Sequence, residues 1–187
     1  SCERAVKGGI IVDYKGIVTD SIQETISKML GVTSSKNLEE NAESSPIKVE
    51  DFTIIIGIAG NITGQLIFGF KEDVVKTIAE KMIEQEVENL DELAISAVSE
   101  LTNVLAGNAT INLVEAGSKK LGMSPPSIVM GKSMRISTKI NPITRYKIKL
   151  ENFEPEELFE MENGVVSISK RAEHSYFIRH AKYLGKG

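Results

Sequence analysis

The longest helical pattern in the chain runs from about Leu90 to about Ala116, and it constrains the fold more than any other stretch. At roughly 100° per residue, Ala94, Val98, Leu101, Leu105 and Ala109 fall on one stripe, the face predicted to be buried. Ser96, Glu100, Asn103 and Gly107 fall on the opposite side. Glu100 and Asn103 are three residues apart, so they are neighbours on the helix surface and can point the same way. Ser96 and Gly107, a turn before and a turn after them, are small. A glycine inside a helix costs about 1 kcal/mol relative to alanine. Letting another surface come close is one reason to keep it. Ser99 lies at the edge of the apolar stripe. It joins Ser96 and Gly107 as a candidate partner contact and is assigned no chemistry.

Other elements are read from pattern and punctuation. A helix is predicted from Ser21 to Leu30, with Ser21 and Glu24 at capping-box spacing and Ile22, Ile26, Met29 and Leu30 as its apolar stripe. Gly31 ends it. Residues 33–46 are polar and read as an exposed loop. Phe52–Ile58 and Gly64–Phe70 read as paired strands around a turn at Gly60-Asn61. A helix follows from about Glu72 to Glu84, and the acidic run Glu84 to Glu92 is a solvated connection. Asn89 and Glu92 stand at N-cap and N3 spacing for the central helix. Gly122 and Pro125-Pro126 break the chain after it. Ser127–Met130, Met134–Ile140, Arg145–Leu150 and Val165–Ser169 read as strands. Residues 151–163 are acidic and irregular, with a helical turn expected after Pro155.

This pattern predicts an α+β fold: a mixed or antiparallel sheet of about six strands packed with about three helices. Residues 1–16 form an N-terminal lead, 17–169 the domain, and 170–187 a basic tail containing Lys170, Arg171, Arg179, Lys182 and Lys186.

Composition removes several function classes. A net charge of −4 disfavours nucleic acid as a partner. The single cysteine, Cys2, rules out an internal disulfide framework and suits a reducing cytoplasm. No apolar run approaches a membrane span, and the first residues lack a signal-peptide pattern, so the expected location is cytoplasmic, away from membranes. One cysteine and two histidines, His174 and His180, nearly exclude a zinc site, and no metal is expected. The chain shows no P-loop, metal cluster or activated nucleophile, so hydrolysis of unrelated small phosphoesters is not expected.

The run Ser99-Glu100-x-x-Asn103, with Pro126 after twenty-two intervening residues, resembles the signature of the CheC and CheX phosphatases of bacterial chemotaxis. The Gly-rich hairpin from Ile54 to Phe70 looks like a CheX strand pair. The acidic connection into Leu93-Ala94-x-x-Ala97-Val98-x-Glu100-Leu101-x-Asn103 also resembles CheX, as do Gly107-Asn108-Ala109 and Pro125-Pro126-Ser127-Ile128-Val129-x-Gly131. The resemblance runs from roughly Tyr14 to Ile143. CheC carries two acid–amide helices and CheX one. This chain has one complete copy, which favours CheX.

The resemblance implies hydrolysis of the aspartyl phosphate on a CheY-type response regulator. In that setting Asn103 is expected to hold the attacking water, because a carboxamide both donates and accepts. Glu100 is expected to pair with a receiver lysine and fix the register of the helix. Ser96 and Gly107 let the receiver approach, and Pro126 shapes the adjoining loop. The chain needs no cofactor of its own, since Mg²⁺ is expected to arrive with the phosphorylated receiver. A homodimer is compatible with this reading. The alternatives are a non-catalytic module that grips a receiver with the same helix, and a dimerisation domain joined through strand edges around the hairpin.

Overall fold

The β-branched apolar hairpin at residues 52–70 forms the centre of the main sheet. The computed structural model describes the backbone of residues 4–7, 10–43, 45–138, 143–151, 158–169, 176–179 and 182–183, and the side chains of residues 13–33 and 45–138. In chain order the elements are β1 (Arg4–Lys7), β2 (Ile10–Asp13), α1 (Tyr14–Leu30), β3 (Thr33–Glu43), β4 (Ile47–Lys48), β5 (Phe52–Gly60), β6 (Ile62–Phe70), α2 (Glu72–Ile83) and α3 (Glu92–Glu115). They continue with β7 (Leu121–Met123), β8 (Ser127–Met130), β9 (Arg135–Ile136), β10 (Ile143–Glu151), β11 (Leu158–Ser169), β12 (Tyr176–Arg179) and β13 (Lys182–Tyr183). The three helices and the expected strands make an α+β fold.

The main sheet runs β3-β10-β11-β12-β6-β5-β7, with β8 also on β5 and β13 also on β6. Its pairings are antiparallel except where β11 meets β12 and β6. In the hairpin, Phe52 pairs with Phe70, Ile54 with Phe68 and Ile56 with Leu66. Side chains alternate across a strand, so these six residues share one face. They form the main core with the buried faces of all three helices. The rings of Phe52 and Phe70 meet edge to face, with centroids 6.1 Å apart. On the other face, Ile67 packs with Ile47 and Val49, and half-buried Ile55, Met134 and Ile136 complete a second, smaller cluster. Both hairpin strands have neighbours on their outer sides, β7 and β8 on β5 and β11 to β13 on β6. The hairpin is therefore interior to the sheet and does not offer the free edges that a dimer built around it would use.

Several local expectations change. The first helix begins at Tyr14, not Ser21. Its N-cap is Asp13, whose Oδ1 accepts from the Gly16 backbone N–H at 3.0 Å. Ser21 is buried mid-helix, and Tyr14, Ile17 and Val18 extend the packed face toward the N-terminus. Gly31 does end this helix, in the left-handed region with φ 66°. Residues 33–43 form a strand rather than a loop, paired antiparallel to β10 from Thr33↔Glu151 to Glu43↔Ile143. A ladder partner satisfies the backbone whatever the side chains are, so a polar segment can be recruited as a strand. Likewise β11 begins at Leu158, inside the stretch expected to be irregular. Two pieces of the basic tail, β12 and β13, hydrogen-bond into the sheet. Cys2, His174, His180 and the turn expected after Pro155 lie outside the described residues.

The cap of α3 also differs from expectation. Asp91, not Asn89, is the N-cap, and its Oδ1 accepts from the Ala94 N–H at 2.9 Å. Asn89 supports it from behind, its carbonyl accepting from the Asp91 N–H at 2.9 Å. A carboxylate at this place satisfies an unpaired N–H and opposes the positive end of the helix dipole. Asp91→Ala is expected to cost about 1 kcal/mol. A thermal melt should show a midpoint lower by about 2–4 °C.

Candidate functional site on the outer face of the third helix

The site is built on α3, and the packing of that helix decides which residues face outward. Ala94, Val98, Leu101, Leu105 and Ala109 are all fully buried, as their spacing predicts. Ala106 and Thr102 widen the buried arc. Thr102 and Thr110 return their hydroxyls to the helix itself, donating to the carbonyls of Ser99 at 2.9 Å and Ala106 at 2.8 Å. Asn108 Nδ2 donates to Thr25 Oγ1 at 3.1 Å and ties α3 to α1. With one side fixed against α1, α2, β5 and β7, rotation of the helix about its axis is blocked.

The opposite face holds the candidate residues. Ser96 and Glu100 are exposed, and Asn103 and Gly107 are half-buried. The structure therefore brings these four onto one outward surface. Among the described residues, neither Glu100 nor Asn103 has a salt-bridge or hydrogen-bond partner for its side chain. Their Cβ atoms stand about 5–6 Å apart by helix geometry. The surface thus offers an unpaired carboxylate beside an unpaired carboxamide, both on a rigid mount. Ser99 differs. Its hydroxyl oxygen is enclosed and makes no hydrogen bond, so it does not present that group outward.

Gly107 has room beside it. A Cβ built there would meet only the Met123 Cε, at 3.9 Å, which is ordinary van der Waals distance. Packing among the described residues therefore does not explain the glycine. Gly60 is the contrasting case. Its φ is 153°, and a Cβ there would come within 2.7 Å of the Lys120 carbonyl oxygen. The hairpin turn needs that glycine so that the segment following α3 can lie against it. Asn61 Oδ1 holds the same segment by accepting from the Lys119 N–H at 3.1 Å.

Pro126 is half-buried and leads directly into β8. The loop before it is fixed to β5 through Ser124, which sequence reasoning missed. Ser124 Oγ accepts from the Gly57 N–H at 2.8 Å, and the Ser124 N–H donates to the Gly57 carbonyl at 2.9 Å. The signal was a hydroxyl residue directly before two prolines, where a loop needs an outside partner. Asn108 was also missed as a tether, although it adjoins Gly107 in the quoted pattern.

Other features offer less chemistry. A cleft of about 390 Å³ is lined by Glu50, Asp51, Lys71, Glu72, Asp73, Lys76 and Lys132, none of them on α3. Its charges are largely paired, Lys132 with Asp51 and Lys76 with Glu72. The Asp51 carboxylate holds the Lys132 ammonium above its usual range by hydrogen bonding and charge. Among the described residues, no cluster of three or more His, Cys, Asp or Glu side chains could hold a metal ion. Nor is any described helix long and apolar enough to cross a membrane.

Residues 52–148, which span the hairpin, α2, α3 and β7 to β9, match the family model described as chemotaxis phosphatase CheX. The chain belongs to the CheX family. It is 34% identical over 119 residues to the CheY-P phosphatase CheX of Thermotoga maritima, covering 63% of this chain and 76% of that protein. Among solved structures it is similar to the chemotaxis protein CheX of Desulfovibrio desulfuricans, with TM-score 0.64 and 22% identity over 76% of this chain and 93% of that one. A Borrelia burgdorferi structure, a CheX-CheY-BeF3-Mg²⁺ complex, matches with TM-score 0.60 and 22% identity over 76% of this chain and 92% of that one. These structural likenesses establish the CheX fold for this chain. The CheX model spans both the acid–amide pair and Pro126, so the sequence resemblance and the family match rest on the same elements.

Proposed function

We propose that this chain is a phosphatase that hydrolyses the aspartyl phosphate of a CheY-type response regulator. The observation that carries this reading is the unpaired Glu100–Asn103 pair on the outer face of α3, in a chain 34% identical to a CheY-P phosphatase. An acyl phosphate needs little covalent help. It needs a water held in line with the bond that breaks, and compensation for charge on the phosphoryl oxygens. The water oxygen bonds to phosphorus, the phosphorus–oxygen bond to the aspartyl group breaks, and the carboxylate leaves with the bond's electrons. Inorganic phosphate carries away the water's oxygen and both of its protons.

Asn103 supplies the positioning. Its carboxamide oxygen accepts a hydrogen bond from the water, and its NH₂ donates one to the water or to a phosphoryl oxygen. Glu100 does not attack, because a carboxylate beside a phosphoryl group meets like charge. It pairs with a cationic side chain of the receiver and so sets where Asn103 lands. Ser96 and Gly107 keep the surface low enough for the receiver to close on the helix. Ser99 contributes its small size at the margin, and Pro126 shapes the loop leading into β8. Mg²⁺ held by the phosphorylated receiver would supply charge compensation at the phosphoryl oxygens. Such chemistry is that of a cytoplasmic signalling protein.

The test is phosphate release from a phosphorylated CheY-type receiver. Wild-type protein is expected to accelerate it, whereas a pure receiver-binding module would co-elute with the receiver and leave the phosphate in place. Glu100→Gln keeps the side chain's size and removes its charge. It is expected to lower kcat/KM about tenfold or more, the scale of one lost charge-assisted contact. It should also flatten the fall of kcat/KM with added salt, because the screened attraction is gone. A variant as fast as wild type with an unchanged salt slope removes Glu100 from docking.

A further inference from the structure

The outer face of α3 has apolar residues at both ends of the reactive pair. Leu93 and Ile111 are each 54% exposed, and Val114 is 39% exposed. At about 100° per residue, all three fall within roughly 60° of the direction midway between Glu100 and Asn103. Large apolar side chains on a helix are normally turned toward the core, and α3 buries ten residues, most of them on its other side. These three are on the wrong side for packing. The stripe therefore reads apolar, small, acid, amide, glycine, apolar, apolar: Leu93, Ser96, Glu100, Asn103, Gly107, Ile111, Val114.

Distances along the helix decide what covers the two ends. At about 1.5 Å per residue, Leu93 lies about 10 Å before Glu100, and Ile111 about 12 Å beyond Asn103. A specific protein interface of ordinary size buries roughly 800 Å² on each partner, a patch of radius about 16 Å. A receiver centred midway between Glu100 and Asn103 has Leu93 about 13 Å and Ile111 about 14 Å away along the axis, so it reaches both, whereas Val114, about 19 Å away, falls beyond the rim. We propose that Leu93 and Ile111 are the two apolar contacts by which the phosphorylated receiver is gripped, one on each side of the chemistry. This rests on the phosphatase reading above and adds a division of labour within it. Central polar residues act in the transition state, while the apolar shoulders bind substrate and transition state alike. Uniform binding of that kind lowers KM without raising kcat.

The experiment uses the full chain and one CheY-type receiver in two forms. The phosphorylated form reads turnover, and the BeF3-Mg²⁺ form reads binding without turnover. The double variant Leu93→Ala/Ile111→Ala is expected to raise KM and the Kd for the BeF3-Mg²⁺ form about tenfold, with kcat within about twofold of wild type. Asn103→Ala is expected to do the reverse, lowering kcat with little change in Kd. Both shoulder residues are more than half exposed, so folding should survive, and a thermal melt checks this. If the alanine variant does not fold, Leu93→Gln/Ile111→Gln keeps the bulk and still removes the apolar contact. A double variant that binds the BeF3-Mg²⁺ receiver as tightly as wild type overturns the proposal whatever its turnover. If wild type binds but releases no phosphate, while the double variant loses binding, the shoulders stand and the phosphatase reading falls.

Discussion

Asn103→Ala is expected to lower kcat for receiver dephosphorylation on the order of 10²-fold or more, the scale seen when a positioned polar group is lost from a reaction that depends on orientation. The reasoning starts from the fold. Leu101 and Leu105, fully buried on either side of Asn103, set the direction in which the carboxamide leaves the helix. The Asn108–Thr25 bond, at 3.1 Å, opposes rolling of α3 over α1. Removing the carboxamide leaves that scaffold intact, because Asn103 has no internal hydrogen bond among the described residues and is only half-buried. Stability should therefore hardly change, and alanine is the best helix former at such a position. Single-turnover decay of the phosphorylated receiver, with the variant in excess, isolates the chemical step. Decay at the wild-type rate would remove water positioning from the mechanism.

The second large effect is on stability. Leu101→Ala should destabilise the protein by about 2–5 kcal/mol, the range for truncating a fully buried leucine when the surroundings relax only in part. Leu101 belongs to the main core, and it lies between Glu100 and Asn103 in the sequence. A chemical denaturation midpoint should move accordingly, with the slope unchanged. Activity per folded molecule, measured well below the melting temperature, is expected to fall much less than in Asn103→Ala. The pair of variants separates the mount from the chemistry. A Leu101→Ala protein as stable as wild type would mean that α3 is not anchored through this residue.

Most of this architecture could be read from periodicity where a segment is amphipathic. The buried stripe of α3 declares its partner surface in the spacing of its apolar residues, and the hairpin at residues 52–70 shows itself by its β-branched apolar runs around Gly60-Asn61. The start of α1 was harder to place, because Asp13 and Ser21 are both good caps and only the packing of Tyr14, Ile17 and Val18 selects the first. β3 was illegible for a deeper reason. Its sequence, TSSKNLEENAE, carries almost no apolar pattern, and its strand character comes from the β10 backbone alongside. β13, only Lys182-Tyr183, likewise takes its strand character from β6 alongside. At the site, the outward direction of Glu100 and Asn103 followed from the wheel. The enclosure of the Ser99 hydroxyl and the tether at Asn108 did not, since both depend on what packs across α3.

Glu100 and Asn103 stand on a convex helix, and that shape moves the burden of discrimination. A ridge has no walls with which to measure what enters it. On the proposed reading the enclosing chamber would be the receiver's own phosphorylation cleft, so any receiver whose cleft admits a helix would meet the same acid and the same amide. In a cell with several phosphorylated receivers, they would compete for this one ridge. Which of them loses its phosphate first would be decided by how well each fits the ground on either side of the reactive pair, while the hydrolytic step itself stays common to all.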